Sequence, residues 1–160
     1  MNAQDALSEI YNFRMIGQLG TAGQPSRDQF PLLREAGFDA VVNLALPTSD
    51  NAIPDEGSIV TGLGMSYLHV PVNFGKPAVE DFRTFCGLMK VLEDRHVFVH
   101  CAANMRVSVF VFLYRILHQN AARTVAEKDL QAIWQPDEVW DAFLQQRLLE
   151  AGLDKMNSSR

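Results

Sequence analysis

Between residues 96 and 118 the chain runs from His96-Val-Phe-Val-His100, through a short loop beginning at Cys101, into a segment that is apolar on nearly every side. The first run reads as a strand. The second, 106–118, is rich enough in Val and Phe to suit a strand, but its length of about three turns favours a buried helix. Elements without a polar face must be covered on all sides, so the chain has to supply layers on both sides of them. Two further aliphatic runs read as strands: 39–46, ending at Pro47, and 66–72, where Pro71 marks the strand end. Residues 17–22 form a weaker candidate.

Helical patterns lie between these runs. Ser26-Arg-Asp-Gln29 matches a capping box ahead of Phe30, Leu32, Leu33 and Ala36, with Gly37 as the stop; Pro31 places the helix start near Asp28. Residues 79–92 put Phe82, Phe85, Leu88, Met89 and Leu92 on one face. Residues 126–134 and 138–149 read as two closing helices, in which Trp134, Trp140 and Phe143 supply packing. The alternation predicts an α/β fold, a central and mostly parallel sheet flanked by helices, with the Cys101 loop between a strand and a buried helix. One domain is expected over 1–153, with a loose tail over 154–160.

A chain of 160 residues, 48% hydrophobic, can bury a single core. With 14 basic and 19 acidic side chains its net charge is -5, which argues against nucleic acid or an anionic membrane as partner. The opening 17 residues lack a basic stretch followed by an apolar one, and the most apolar segment, 107–117, contains Arg115 and falls short of the ~20 residues of a membrane span. Two cysteines, Cys86 and Cys101, are too few for a disulfide framework. A reducing, cytoplasmic setting is the expectation. Nothing in the sequence sets an oligomeric state.

Cys101 stands at the carboxyl end of a strand, where open parallel sheets collect ligands, and just ahead of a helix N-terminus. The backbone N–H groups from Ala102 through Ala103, Asn104 and Met105 to Arg106 can form a nest, and the helix end adds partial positive charge; both favour a thiolate over a thiol. Arg106 offers a planar fork for two oxygens of an oxyanion. Ala102 and Ala103 allow close backbone approach, and Asn104 tolerates positive φ. A small buried hydrophobe is the alternative role for Cys101, and the expected role for Cys86. His69, His96 and His118 show no metal-ligand spacing, so no metal and no cofactor is expected, although His69 should end near the pocket. Gln24 and Asn43 suit loop organisation, Ser26 a helix cap, and Lys76 a solvated loop or a positive rim.

The segment VFVHCAANMRVS resembles the signature loop of the protein tyrosine and dual-specificity phosphatases. Gly23-Gln-Pro-Ser26, Gly37-Phe-Asp-Ala-Val-Val-Asn-Leu44, Tyr67-Leu-His-Val-Pro71 and Pro77-Ala-Val-Glu-Asp81 extend the likeness to small bacterial phosphatase-like proteins, including the domain attached to β-lactamase-like hydrolases. The resemblance implies a small phosphorylated or other oxyanionic substrate. It makes Cys101 the nucleophile of a phosphocysteine intermediate, Arg106 the phosphate ligand, Ser108 the hydroxyl that helps the thiolate leave, and His100 a buttress of the loop that helps hold Cys101 ionised. Three positions depart from the family. Four residues, not five, separate Cys101 from Arg106; Asn104 replaces a glycine; and Asn73 stands where the acid is expected, leaving Asp81 as a substitute. A Cys-x4-Arg loop is also similar to that of rhodanese-type sulfurtransferases, with a persulfide on Cys101. An inactive module that binds oxyanions or phosphoproteins is the third alternative.

Overall fold

The computed structural model describes residues 2–153; the tail expected over 154–160 lies outside them. Five strands, β1 (Arg14–Ile16), β2 (Leu19–Ala22), β3 (Ala40–Asn43), β4 (Ser66–His69) and β5 (Val97–His100), form one sheet in the order β1-β2-β5-β3-β4. All neighbours are parallel except the β1–β2 hairpin, whose two-residue turn uses Gly17 at φ 61°. The helices are α1 (Ala3–Leu7), α2 (Phe30–Glu35), α3 (Glu56–Gly62), α4 (Val79–Val91), α5 (Met105–His118), α6 (Arg123–Ile133) and α7 (Glu138–Glu150). The expected α/β architecture is therefore present, with shorter strands than the apolar runs suggested. α1 and β1 went unforeseen, and α3 was implied only by the alternation. All three are short, and none has an uninterrupted apolar face.

The capping box forms, with Gln29 Oε1 accepting the Ser26 N–H at 2.9 Å. It opens a single 3-10 turn, Arg27–Gln29, so that Pro31 falls in the first turn of α2, where its missing N–H costs nothing. Gly37 ends the helix at φ 99°.

Pleating divides the central strand between two cores. Val97, Val99 and Cys101 join the cluster built by α4, α5 and α7, whereas Phe98 packs with Phe30, Leu33, Phe38 and Val60 on the opposite side. Cys101 and His100 thus serve different faces of the sheet. On the first face, the Phe110 ring of α5 meets Phe82, Phe85, Trp140 and Phe143 at centroid distances of 5.3 to 5.9 Å.

Asp129 of α6 ties the edge hairpin to α5: its carboxylate takes Arg14 Nε at 2.9 Å and Arg115 Nη1 at 2.6 Å. Burial pushes this carboxyl up, but the hydrogen bonds and charges of Arg115 and Arg14 together outweigh it and hold it below its ordinary value. A depressed carboxyl stabilises the fold above the unfolded-state value of about 3.9, and that contribution is lost as pH falls through the folded value. Asp129→Asn accordingly lowers stability by about 2 kcal/mol at pH 7, and the deficit shrinks below about pH 4. Urea melts of both proteins across that range measure it.

Candidate active site

The loops that follow β3, β4 and β5 meet at the carboxyl edge of the sheet around a cavity of about 360 Å3. Cys101, Ala102, Ala103, Met105 and Arg106 form its floor. Leu46, Thr48 and Ser49 from the loop after β3, with Phe74 from the loop after β4, form its walls.

Arg106 lies in the first turn of α5 and is only 5% exposed. Its Nη1 donates to the Val72 carbonyl at 3.0 Å, and the guanidinium lies 5.7 Å from the Phe74 ring centroid. Its Nε is buried and has no partner among the described residues. A buried guanidinium N–H without an acceptor is costly, and an oxyanion in this cavity would supply one.

The loop backbone is turned to suit such an anion. The Cys101 carbonyl accepts from His100 Nδ1 at 3.1 Å, and the Ala102 carbonyl from Gln24 N at 3.1 Å and Asn51 Nδ2 at 3.2 Å. In a trans peptide the N–H points opposite to the preceding C=O, so the Ala102 and Ala103 N–H groups face the other way. Neither has an acceptor among the described residues. Gly23 lets this happen, because a Cβ there would come within 2.6 Å of the Ala102 oxygen.

Asn104 takes φ 66°, the left-handed conformation its sequence position allowed. Its side chain, fully buried, does not border the cavity: Nδ2 donates to the Asn12 carbonyl at 2.8 Å and Thr21 Oγ1 at 3.2 Å. The Asn104 side chain therefore shapes the loop and does not line the cavity. Asn12 returns the tie, its Nδ2 donating to the Ala103 carbonyl at 3.0 Å.

Other expected site residues lie elsewhere. Ser108 Oγ donates to the Met105 carbonyl at 2.7 Å and accepts from Trp134 Nε1 at 2.9 Å, and it lines a different gap from Cys101. Asn73 is exposed and closes a turn by accepting the Gly75 N–H at 2.9 Å; Phe74, its neighbour, is the residue that borders the cavity. Asp81 sits in the first turn of α4, where burial and then the charge of Glu80 push its carboxyl up, but it does not reach the cavity wall. Among the described residues no carboxylate borders the cavity. His69 donates from Nε2 to the Ala45 carbonyl at 2.7 Å and lines a neighbouring cavity, and Lys76 is exposed. Cys86 is half-buried in α4, and burial pushes its thiol up to about 12.

His100 is fully buried, and its Nε2 meets Glu56 Oε2 at 2.5 Å. Glu56 was not singled out in the sequence, because an acid after Pro54-Asp55 at a helix start reads as solvated. Phe74, Thr48 and Ser49 were missed as well: loop residues carry no periodicity from which to infer burial.

Residues 12–142 match the family described as a DSP-PTPase phosphatase fused to NAD+ kinase. The chain belongs to this family of dual-specificity-type protein tyrosine phosphatase domains. A solved candidate phosphatase (DUF442) from Shewanella putrefaciens CN-32 is 34% identical to it, covering 92% of this chain and 97% of that one, with a TM-score of 0.82. The fold alone is shared with kinase-associated phosphatase, at 11% identity, TM-score 0.74 and coverage of 90% and 97%. It is likewise shared with TpbA of P. aeruginosa, solved with phosphotyrosine, at 15% identity, TM-score 0.64 and coverage of 91% and 98%. No curated protein matches the chain. No described helix of this phosphatase-family domain is long and apolar enough to cross a membrane.

Proposed function

We propose that this domain is a cysteine-dependent phosphatase that hydrolyses small phosphate monoesters in the cytoplasm. One observation carries the proposal: Cys101 shares its cavity with Arg106, whose Nε is buried without a partner. The phosphoryl oxygens would take that N–H and the Ala102 and Ala103 amides, placing phosphorus against Cys101 Sγ. Sγ attacks phosphorus, an S–P bond forms, and the ester P–O bond breaks with its electron pair on the leaving oxygen. Water then attacks the phosphocysteine, the S–P bond breaks, and inorganic phosphate and the thiolate are released.

With no carboxylate of the described residues at the cavity, the leaving oxygen takes its proton from solvent, so esters of acidic alcohols react best. Rapid quench with 4-nitrophenyl phosphate is expected to trap phosphorus on the Cys101 peptide, and kcat to fall steeply as the leaving phenol becomes less acidic. Turnover without a Cys101-linked phosphate would sink the mechanism. The same protein given thiosulfate and cyanide should yield no thiocyanate; the matching family is one of phosphatase domains, so sulfur transfer is not favoured.

A further inference from the structure

Glu56 opens α3 and is 2% exposed, on the face of the sheet away from the cavity's thiol. Its Oε1 accepts Gln24 Nε2 at 2.8 Å, and its Oε2 meets His100 Nε2 at 2.5 Å. The Tyr67 hydroxyl accepts from Asn43 Nδ2 at 3.0 Å and borders the same neighbouring cavity as Glu56. On its other edge, His100 Nδ1 contacts the Cys101 carbonyl at 3.1 Å.

These contacts fix a proton count. A carbonyl can only accept, so His100 Nδ1 carries a proton. The Nε2–Oε2 contact requires a second. Gln24 donates to the carboxylate, which favours its ionised form and places the second proton on the imidazole. Burial pushes Tyr67 up to about 12, the Asn43 hydrogen bond opposing and the charge of Glu56 adding, so Tyr67 stays neutral near the carboxylate. Phe30 of α2 and Phe98 of β5 flank the ring at 6.4 and 6.2 Å between centroids, and a charged imidazole among them needs a buried counter-ion.

We propose that Glu56 is a positioning residue that keeps His100 an imidazolium behind the loop and thereby sustains the Cys101 thiolate at neutral pH. This rests on Cys101 being the nucleophile, though not on the identity of its substrate. The positive end of the pair lies against the Cys101 peptide, and among the described residues Arg106 of α5 is the charged group that lines the thiol's cavity. Glu56 itself faces His100 from β5, Tyr67 from β4 and Gln24 from the loop after β2.

The test is alkylation of the full chain by iodoacetamide between pH 5 and 9, with Cys101 and Cys86 peptides followed separately by mass spectrometry. Cys86, its thiol pushed up to about 12, serves as the slow internal reference. In Glu56→Gln, Cys101 alkylation at pH 6 is expected to slow about tenfold and its midpoint to rise by about one pH unit. Glu56→Asp, which restores the charge, should recover part of the shift. Superimposable profiles for folded wild type and Glu56→Gln would overturn the proposal. The wild type supplies an independent check that needs no variant: both His100 ring nitrogens should show imidazolium 15N shifts at pH 7, and a neutral-ring pattern would overturn it equally. Because alkylation reads the thiol and not phosphate release, a wild type inert to aryl phosphates but with a Glu56-dependent profile would strike the phosphatase proposal alone. Turnover with a Glu56-independent profile would strike only this one.

Discussion

Cys101→Ser removes turnover of 4-nitrophenyl phosphate by at least ~10^4-fold while leaving phosphate binding nearly intact, whereas Arg106→Lys weakens both. The two variants separate because the residues do different work in one cavity. A serine keeps the volume and the loop amides but is a poor nucleophile without a general base, and no described carboxylate or imidazole borders the cavity to act as one. Lysine keeps a charge at position 106 but has neither the N–H that stays tied to Val72 nor the second edge, the unpartnered Nε, that an anion would meet. On the order of 10^2 to 10^3 in kcat/KM is expected for Arg106→Lys, with phosphate affinity reduced in parallel. Isothermal titration with phosphate, beside steady-state kinetics, resolves the two. Equal loss of phosphate binding in Cys101→Ser would mean that the thiol shapes the anion site.

Trp140→Ala is expected to cost about 4 kcal/mol, the largest stability loss considered for this chain. The ring is fully buried and lies within 6 Å of Phe74, Phe110 and Phe143, centroid to centroid. Its Nε1 also donates to the Phe74 carbonyl at 2.8 Å. Trp140→Phe retains most of the volume and should cost about 1 to 2 kcal/mol, because it orphans that carbonyl. The informative result is the activity of Trp140→Phe. Phe74 forms a cavity wall, with Trp134 and Trp140 at 5.8 and 5.9 Å and the Arg106 guanidinium also beside it. Loosening the loop should therefore raise KM in a protein that still melts cooperatively. Unchanged kinetics would show that the closing helices support the core and not the site.

How much of this was legible in the sequence followed from the size of the pattern. The central strand, α4 and α5 have long apolar signatures that nothing else in the chain can satisfy, and their bounds fell within a residue or two of those expected. β1 and α1 offer three and five residues, too few for a period to declare itself. At the site, residue type was readable and contact was not. Cys101 and Arg106 meet in one cavity, but Ser108, seven positions beyond Cys101, spends its hydroxyl on Met105 and Trp134. Asn73 stands at the expected point in the chain and turns outward, while its neighbour Phe74 turns in. Glu56 lies 45 positions before Cys101, and only the crossover from β3 through α3 brings it beneath β5. Within the shortened loop, Asn104 takes the left-handed conformation at the start of α5.

The ties on that loop also set when it can exist. Its shape is held by Asn12, Gln24, Asn51 and, through His100, Glu56, while Arg106 is held by Val72. These partners are scattered over most of the chain ahead of the thiol, and each reaches it by a different loop or element. No short fragment around Cys101 contains them. The loop is thus assembled only when the sheet is complete, and loss of activity during denaturation should track global unfolding instead of preceding it.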